Sequence, residues 1–490
     1  MRMFPLITLL LPLAWLGCLV AKANADQDHL PQIEARGPLH EAYAQPFMLN
    51  PTANEPVRKE PPLPLREEPP ELGPTGDRIQ WMPGYWQYED DKQDFVWISG
   101  FWRDTPTNRR WVPGFWAQSE AGNRWVSGHW AADQERDYQF VPPPPMNMDT
   151  GPTHPAPDPN CFYIPGCWFY TENGYTYRTG YWSEIRPGYV WAPAKYEWTP
   201  AGWIFSSGYW DYAISNRGVA MAPAYFPVRA ANDPNYVYKP EVAVNPAAAS
   251  GNLFVSPTTN HYYFGNYYAA ENQKAGIQPW AEYSVKMYDP IFAYERWANK
   301  GNADWLKGLQ ALVEAQRSGK LPALPMTWDA QNKEAGQANG APILSTLQQL
   351  RIARKIVKFS PEQRQAQAQK VQALLELVQK LSQQAANSQA QVPTSPDKAK
   401  QEDRDAKTAN YTPPAKVDAP PAFDLKSLLP KGNGNRPILN GIGNIIQKGA
   451  NGPLQNLMPK GSNPAPSNTT PPANSNPPSE LKKPTNPYGD

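Results

Sequence analysis

Cysteine and histidine are scarce in this chain. Three cysteines occur in 490 residues, and one of them, Cys18, lies in an apolar leader. The five histidines are His29, His40, His129, His154 and His261. None stands at a metal-ligand spacing from another histidine or cysteine, so no metal-binding residues are assigned. Charge of one sign is also lacking. Lys and Arg number 46 against 45 Asp and Glu, a net +1. Nothing in that balance calls for nucleic acid or an anionic membrane surface as partner. After the first twenty residues no run approaches the ~20 apolar residues that span a bilayer, so the mature chain has no transmembrane segment. Gly-rich phosphate loops and a Gly-x-Ser-x-Gly elbow are absent. Acidic residues cluster in turns such as Glu89-Asp90-Asp91, where solvation accounts for them. No catalytic or cofactor-binding residue is named, and the expectation is a protein that is not an enzyme and carries no cofactor.

Proline, tryptophan and tyrosine are abundant, at 58, 19 and 25 residues. They divide the chain. Residues 1–25 read as a secretory signal: Arg2, an apolar stretch from Phe4 to Val20, then Ala23-Asn24-Ala25 before Asp26. A second reading of the leader is lipidation at Cys18, since Leu16-Gly17-Cys18 is lipobox-like. Residues 26–75 are polar and proline-rich and are expected to form a disordered linker. The aromatic array covers 76–230, a Tyr-rich continuation with a short helix 231–317, and a linker 318–341. Residues 342–387 are expected to form a helical hairpin or coiled-coil segment, and 388–490 a disordered Pro/Asn-rich tail.

The array is a repeat. Aromatic-x-x-Gly-x-Trp recurs as Trp81-Gly84-Trp86, Trp97-Gly100-Trp102, Trp111-Gly114-Trp116, Trp125-Gly128-Trp130, Tyr163-Gly166-Trp168, Tyr177-Gly180-Trp182 and Phe205-Gly208-Trp210. The spacings are 16, 14, 14, 38, 14 and 28. Weaker copies, VWAPAKY at Val190–Tyr196 and AMAPAYF at Ala220–Phe226, carry Ala194 and Ala224 in the glycine place. So regular a period predicts repeat architecture. On a strand the glycine leaves a notch that a tryptophan from the neighbouring antiparallel strand can cover. Each unit then holds about nine strand and about five turn residues. The predicted fold class is mainly β: an antiparallel meander of ~14-residue Trp/Gly repeats, with a small helical region and long disordered ends.

Two local geometries compete. In the favoured one the strand runs through the motif with a bulge at the glycine, and strict alternation sets Phe95, Trp97, Ser99 and Phe101 against Val96, Ile98, Gly100 and Trp102. In the other, Pro-Gly centres a type II turn and Trp111 faces Trp116 across a tight hairpin. Both explain the aromatics first as packing, because indoles are most of the core a thin sheet has. Exposed platforms for sugar rings are the sharper alternative. His129 fills a slot where other units have Tyr or Phe, which favours packing. Cys161 and Cys167 are the candidate disulfide. On one strand they would lie ~20 Å apart, so a bridge at ~6 Å needs the chain to reverse between them.

Downstream, Asn252–Tyr268 alternates around a Pro-Thr-Thr-Asn turn. Asn302 can cap a helix whose apolar face is Trp305, Leu306, Leu309, Leu312 and Val313. Ser360-Pro361-Glu362-Gln363 is a capping box opening a helix with Val371, Leu374, Leu375, Val378 and Leu381 on one stripe.

RWVPGFW, RWVSGHW and FSSGYWDY resemble the YXWGXW (WXXGXW) repeat proteins of bacteria, which are often exported. The likeness covers about 81–300 and departs where Ala194, Ala224, Tyr196 and Phe226 replace Gly or Trp. It implies an exported repeat protein, located in the periplasm, cell envelope or outside the cell, and supplies no catalytic residues. The expected function is a non-enzymatic structural or scaffolding component of the envelope. The alternative is a glycan- or protein-binding module. Candidate partners are accordingly a polysaccharide or other envelope proteins.

Overall fold

The computed structural model describes residues 30–119, 121–135, 139–334, 342–353 and 356–387. The leader with Cys18 and the tail from 388 lie outside them. The repeats form four antiparallel hairpins, two motifs to each, so the expected mainly β, antiparallel array is present. Each arm is a pair of short strands interrupted at the glycine. The first hairpin runs Ile79–Met82, Tyr85–Glu89, Asp94–Ile98, Phe101–Asp104. The second runs Arg109–Val112, Phe115–Ser119, Gly122–Val126, His129–Ala132. The third is Cys161–Ile164, Cys167–Thr171, Gly174–Arg178, Tyr181–Glu184. The fourth is Tyr189–Ala192, Lys195–Thr199, Gly202–Ser206, Tyr209–Tyr212, and the weak copy VWAPAKY is its first arm.

The register settles the two local geometries. Trp111 lies opposite Trp130 and Trp116 opposite Trp125, so the chain runs through the motif and does not turn at Pro-Gly. The bulge is corrected, however. Met82 pairs with Phe101 and Tyr85 with Ile98, leaving two residues on each arm between them, Pro83-Gly84 facing Ser99-Gly100. With equal numbers on both arms there is no extra residue, only a matched gap. Pro83, Pro113, Pro165 and Pro193 all fall in such gaps, where no ladder donor is needed. The gap also inverts the alternation. Phe101 and Tyr85 both touch the His40 ring, although Phe101 is the partner of Met82, three residues before Tyr85. The two aromatics of one motif therefore share a face, which strict alternation denies them.

The segment expected to be a disordered linker is corrected outright over residues 30–75. Ala35, Ala42, Tyr43 and Ala44 are buried in the main core with Met82, Phe101, Trp111 and Trp130. Pro-rich stretches lack ladder partners and so keep their carbonyls free. Those carbonyls strap the hairpins: Trp86 Nε1 donates to Leu63 O (2.9 Å) and Trp102 Nε1 to Pro70 O (3.1 Å). The insertion between the blocks does the same for the third hairpin, where Met146 O and His154 O accept from Trp168 and Trp182.

A buried clasp joins distant parts. Arg103 of the first hairpin is fully buried and donates to both carboxylate oxygens of Asp211 in the fourth, at 2.6 and 2.8 Å. Its Nε donates to Ala42 O at 2.9 Å, and Arg217 stands 3.2 Å from Asp211.

Behind the hairpins lies a helical and Tyr-rich layer. Leu253–Ser256 and His261–Phe264 pair around the Pro-Thr-Thr-Asn turn as the pattern predicts. Helix Trp305–Arg317 buries Trp305, Leu309, Leu312 and Val313, with Asp304 rather than Asn302 at its N-cap. It is accompanied by helices Trp280–Lys286 and Pro290–Ala298, more helix than the one short element anticipated. The linker assigned to 318–341 contains helix Trp328–Glu334, and residues 335–341 lie outside the description. The helical hairpin of 342–387 is also corrected. Leu344–Thr346 pairs with Val242–Val244, helix Leu347–Ala353 follows, and Ile356–Lys358 pairs with Leu72–Pro74. Helix Pro361–Asn387 opens on the capping box: Ser360 N donates to Gln363 Oε1 (2.8 Å) and Gln363 N to Ser360 Oγ (3.2 Å). It docks on the second hairpin through Leu377 and Leu381, against Val112, Ala131 and Phe115. Leu375, placed on the apolar stripe, is exposed.

Ala42 distinguishes a linker from a core segment. Ala42→Leu is expected to destabilise the fold by about 1–3 kcal/mol through overpacking, read from urea unfolding. In a disordered linker the change would be silent.

Candidate functional site

Seven glycines recur, and none of Gly84, Gly100, Gly114, Gly128, Gly166, Gly180 and Gly208 lies in the left-handed region. What they need is room. A Cβ on Gly84 would sit 2.7 Å from the Trp97 ring, one on Gly100 2.7 Å from Trp81, and one on Gly208 2.5 Å from Trp191. Gly114 and Gly128 are closed in the same way by Trp125 and Trp111, and Gly166 and Gly180 by Tyr177 and Tyr163. The first aromatic of each motif thus covers the glycine of its hairpin partner, reciprocally. Second-position tryptophans meet these rings edge to face, as in Trp86–Trp97 and Trp81–Trp102 with centroids at 5.1 and 5.4 Å. The expected notch and rescue are present, applied between the two arms of one hairpin.

The fourth hairpin carries its own control. Its first arm has Ala194 in place of glycine, and the residue in the covering position is Phe205, the smallest covering ring of the set; both belong to one apolar cluster. A methyl group has entered where the ring is smaller.

Matched gaps leave N–H groups without ladder partners, and acids from outside the repeat meet them. Glu67 accepts from Gly84 N (2.9 Å), Gly100 N (3.0 Å) and Trp97 Nε1 (2.6 Å). Glu41 accepts from Trp125 Nε1 (2.9 Å) and Gly128 N (2.8 Å) in the second hairpin. Asp149 accepts from Gly166 N and Tyr163 Oη in the third, beside Asn147, which takes Tyr177 Oη at 3.0 Å. In the fourth no acid among the described residues meets the gap. Trp191 Nε1 is buried without a partner, and Arg109 instead donates to Ser207 Oγ and Gly208 O. Burial pushes Glu41 and Glu67 up to about 7, against the pull of the indole and glycine N–H donors.

Sequence reasoning missed these acids because they lie 14 to 87 residues from their partners. Of the other candidates, His129 packs opposite Val112 in the second hairpin and is buried, and burial lowers it to about 3. Cys161 and Cys167 are not joined by a disulfide. The arm does not reverse between them: Cys161 pairs with Glu184 and Cys167 with Arg178, so the candidate disulfide is corrected. Among the described residues no group of three or more His, Cys, Asp or Glu could hold a metal ion, and no helix is long and apolar enough to cross a membrane.

One polar cavity of about 230 Å³ lies beside the array. Met48, Asn50 to Thr52 and Asn54 of the N-terminal segment, residues of the second and fourth hairpins, and the 257–260 turn line it.

Residues 81–103, 110–131, 162–183 and 186–210 match the family model of the WXXGXW repeat, in two copies per match. These four spans are the four hairpins. No curated protein and no solved structure matches the chain significantly.

Two predictions follow from the gaps. Ala194→Gly should cost about 1 kcal/mol, and Phe205→Trp about 1–3 kcal/mol by overpacking the methyl group. The double variant should recover much of the sum, a coupling read from a double-mutant cycle. Strict additivity would show that Phe205 does not cover position 194.

The second concerns pH. Between the usual glutamate range and about pH 7, folded Glu41 and Glu67 hold protons that the unfolded chain has released. Stability therefore declines as pH rises through that window. Thermal melts from pH 5 to 8 should show the decline, and the Glu41→Gln, Glu67→Gln double variant should show a shallower one.

Proposed function

Because the chain carries the WXXGXW repeat, we propose that it is a non-enzymatic, exported repeat protein serving as a structural or scaffolding component of the cell envelope. The observation that carries this reading is the state of the aromatics. Trp81, Trp97 and Trp111 are among the most deeply buried side chains, and each of the fourteen tryptophans from Trp81 to Trp210 is buried or half-buried. Rings committed to glycine notches and proline-segment carbonyls make a stiff body. Its segments are cross-tied over long sequence distances by Glu41, Glu67, Asp149 and the Arg103–Asp211 clasp. Such a body suits a load-bearing or spacing role more than an adaptable surface. The leader supports export. The glycan-binding module is the second reading, and the polar cavity beside Trp198 favours it.

Fractionation of cells producing the full chain, with N-terminal sequencing, tests the proposal. The mature protein is expected outside the cytoplasm, beginning at Asp26. A chain that stays in the cytoplasm and retains Met1 would overturn it.

A further inference from the structure

The second arm of each hairpin has an outer edge whose backbone groups can take a further strand. In three of the four hairpins a remote segment of the chain takes it. Val57 N donates to Asn123 O (2.7 Å) and Asn123 N to Val57 O (2.8 Å) on the second hairpin. Phe140 and Val141 pair with Ile204 and Trp203 on the fourth. Ala224 pairs with Trp97 on the first. These covering segments share a chemistry: each sets an apolar residue beside a proline, as Pro56-Val57, Val141-Pro142 and Pro223-Ala224. Proline has no N–H to give a ladder, so the added pairing stays short.

The third hairpin is the exception. Register places Tyr175 where Asn123 and Trp203 stand, one residue after the turn glycine. A Cβ on Gly122 would meet Val57 O at 2.7 Å, and one on Gly202 would meet Val141 O at 3.0 Å. One on Gly174 would meet nothing within 4 Å. Among the described residues only Cys167–Thr171 pairs with Gly174–Arg178. The opposite edge is closed, because Trp168 O accepts from Tyr196 Oη of the fourth hairpin at 2.8 Å. In an antiparallel pair, residues bonded to each other alternate with residues whose backbone groups turn away. Trp168 turns its carbonyl out to Tyr196, so its partner Tyr177 turns out on the other side, and Tyr175 with it. Thr176 between them is exposed.

An unpaired edge is a ready site for strand addition. The chain itself carries a segment of the matching chemistry. Helix Pro361–Asn387 crosses the first hairpin, where Gln367 bonds Ile79 O and Trp81 N. It then crosses the second, and Leu381 shares a small cavity with Phe140 and Ile204, the strand added to the fourth hairpin and its partner. Val141 of that added strand packs with Cys167 and Phe169 of the third. The helix therefore leads residues 388–490, which lie outside the described residues, toward the side that the third hairpin occupies. Of the two valines in that stretch, Val392 alone adjoins a proline, and Val392-Pro393 repeats the order of Val141-Pro142. Five residues separate it from Asn387, a reach of up to ~17 Å.

We propose that Gly174–Arg178 is a strand-accepting edge and that its occupant is Ala390–Val392 of the same chain, added antiparallel with Val392 opposite Tyr175. Tyr175 then exchanges two hydrogen bonds with Val392, Tyr177 N donates to Ala390 O, and Pro393 ends the pairing. The inference is independent of the envelope role.

Amide hydrogen exchange across residues 172–178 tests it, with the full chain at low micromolar concentration. The Tyr175 and Tyr177 amides should exchange at least about tenfold more slowly than in a chain ending at Asn387. Val392→Pro removes the N–H that reaches Tyr175 O and should abolish the difference. A peptide of residues 388–396, added to the shortened chain at millimolar concentration, should restore it. The Thr176 amide, bonded to Phe169, should stay slow in every sample, which shows that the hairpin itself is intact. Equally fast exchange in the full and shortened chains would overturn the proposal. Protection that survives the shortening would overturn it too, and protection that then grows with protein concentration would give the edge to a second copy. Protection lost on shortening but kept in Val392→Pro would overturn the assignment of Val392.

Discussion

A hairpin interrupted on both arms at the same level leaves backbone N–H groups with no ladder partner. The rest of this molecule depends on where those groups find acceptors. Buried amides that lack partners cost too much to leave alone. Here the acceptors are carboxylates carried by other parts of the chain: Glu67 spans both glycines of the first gap, Glu41 reaches the second, and Asp149 the third. The glycines follow from the same constraint. Without a Cβ they let an indole or phenol close over the gap, and that ring presents its own polar hydrogen to the same acid, as Trp97 does to Glu67 and Tyr163 to Asp149. In the first three hairpins ring, glycine and acid form one unit; in the fourth Trp191 closes on Gly208 with Arg109 at the gap instead.

That unit explains why a proline-rich segment belongs to the fold. Residues 30–75 bury Leu39, Tyr43 and Phe47 and bring two acids and a series of free carbonyls to hairpins rich in unpaired donors. Small residues do the rest. Ala35 and Ala42 are fully buried, and only a thin chain can pass through that space. The ordered body is then closed from both ends, with Leu72–Pro74 pairing with Ile356–Lys358 and helix Pro361–Asn387 lying against the second hairpin.

Much of this was legible. Repeat period, strand character, the glycine notch, the hairpin of 253–264, the face of helix Trp305–Arg317 and the capping box at Ser360 are local patterns, and local patterns carry through. Three things were hidden for physical reasons. Alternation was misread because the matched gap inverts it, so Trp97 and Trp102 share a side although they are five residues apart. The segment before Asp77 was misread because composition measures hydrocarbon, whereas this segment is held by Glu41, Glu67 and backbone carbonyls. Neither acid has a sequence neighbourhood that marks it. The pairing of motifs, by contrast, is written in the sequence. Each hairpin sets a Pro-Gly or Pro-Ala gap on its first arm against a Ser-Gly or Thr-Gly gap on its second: Pro83-Gly84 with Ser99-Gly100, Pro113-Gly114 with Ser127-Gly128, Pro165-Gly166 with Thr179-Gly180, Pro193-Ala194 with Ser207-Gly208. That alternation names the partners, and it identifies the weak copy at Val190–Tyr196 as a true arm.

The four hairpins do not serve the molecule equally. Tryptophans of the first two are almost all buried, and Met82, Phe101, Trp111 and Trp130 enter the main core. In the third, Tyr163, Trp168, Tyr177 and Trp182 remain half-buried under a single proline-rich strap. The fourth has alanine for glycine on its first arm and, among the described residues, no acid at its gap, which is tied by Arg109 from the second hairpin. One repeat therefore yields a rigid half and a more open half. The polar cavity lies where they meet, walled by Trp125 from one and Trp198 from the other. A site of that kind cannot be found in either motif alone. It exists because the second and fourth hairpins come together there, and because Trp198 lies on the half of the array that the core has not claimed.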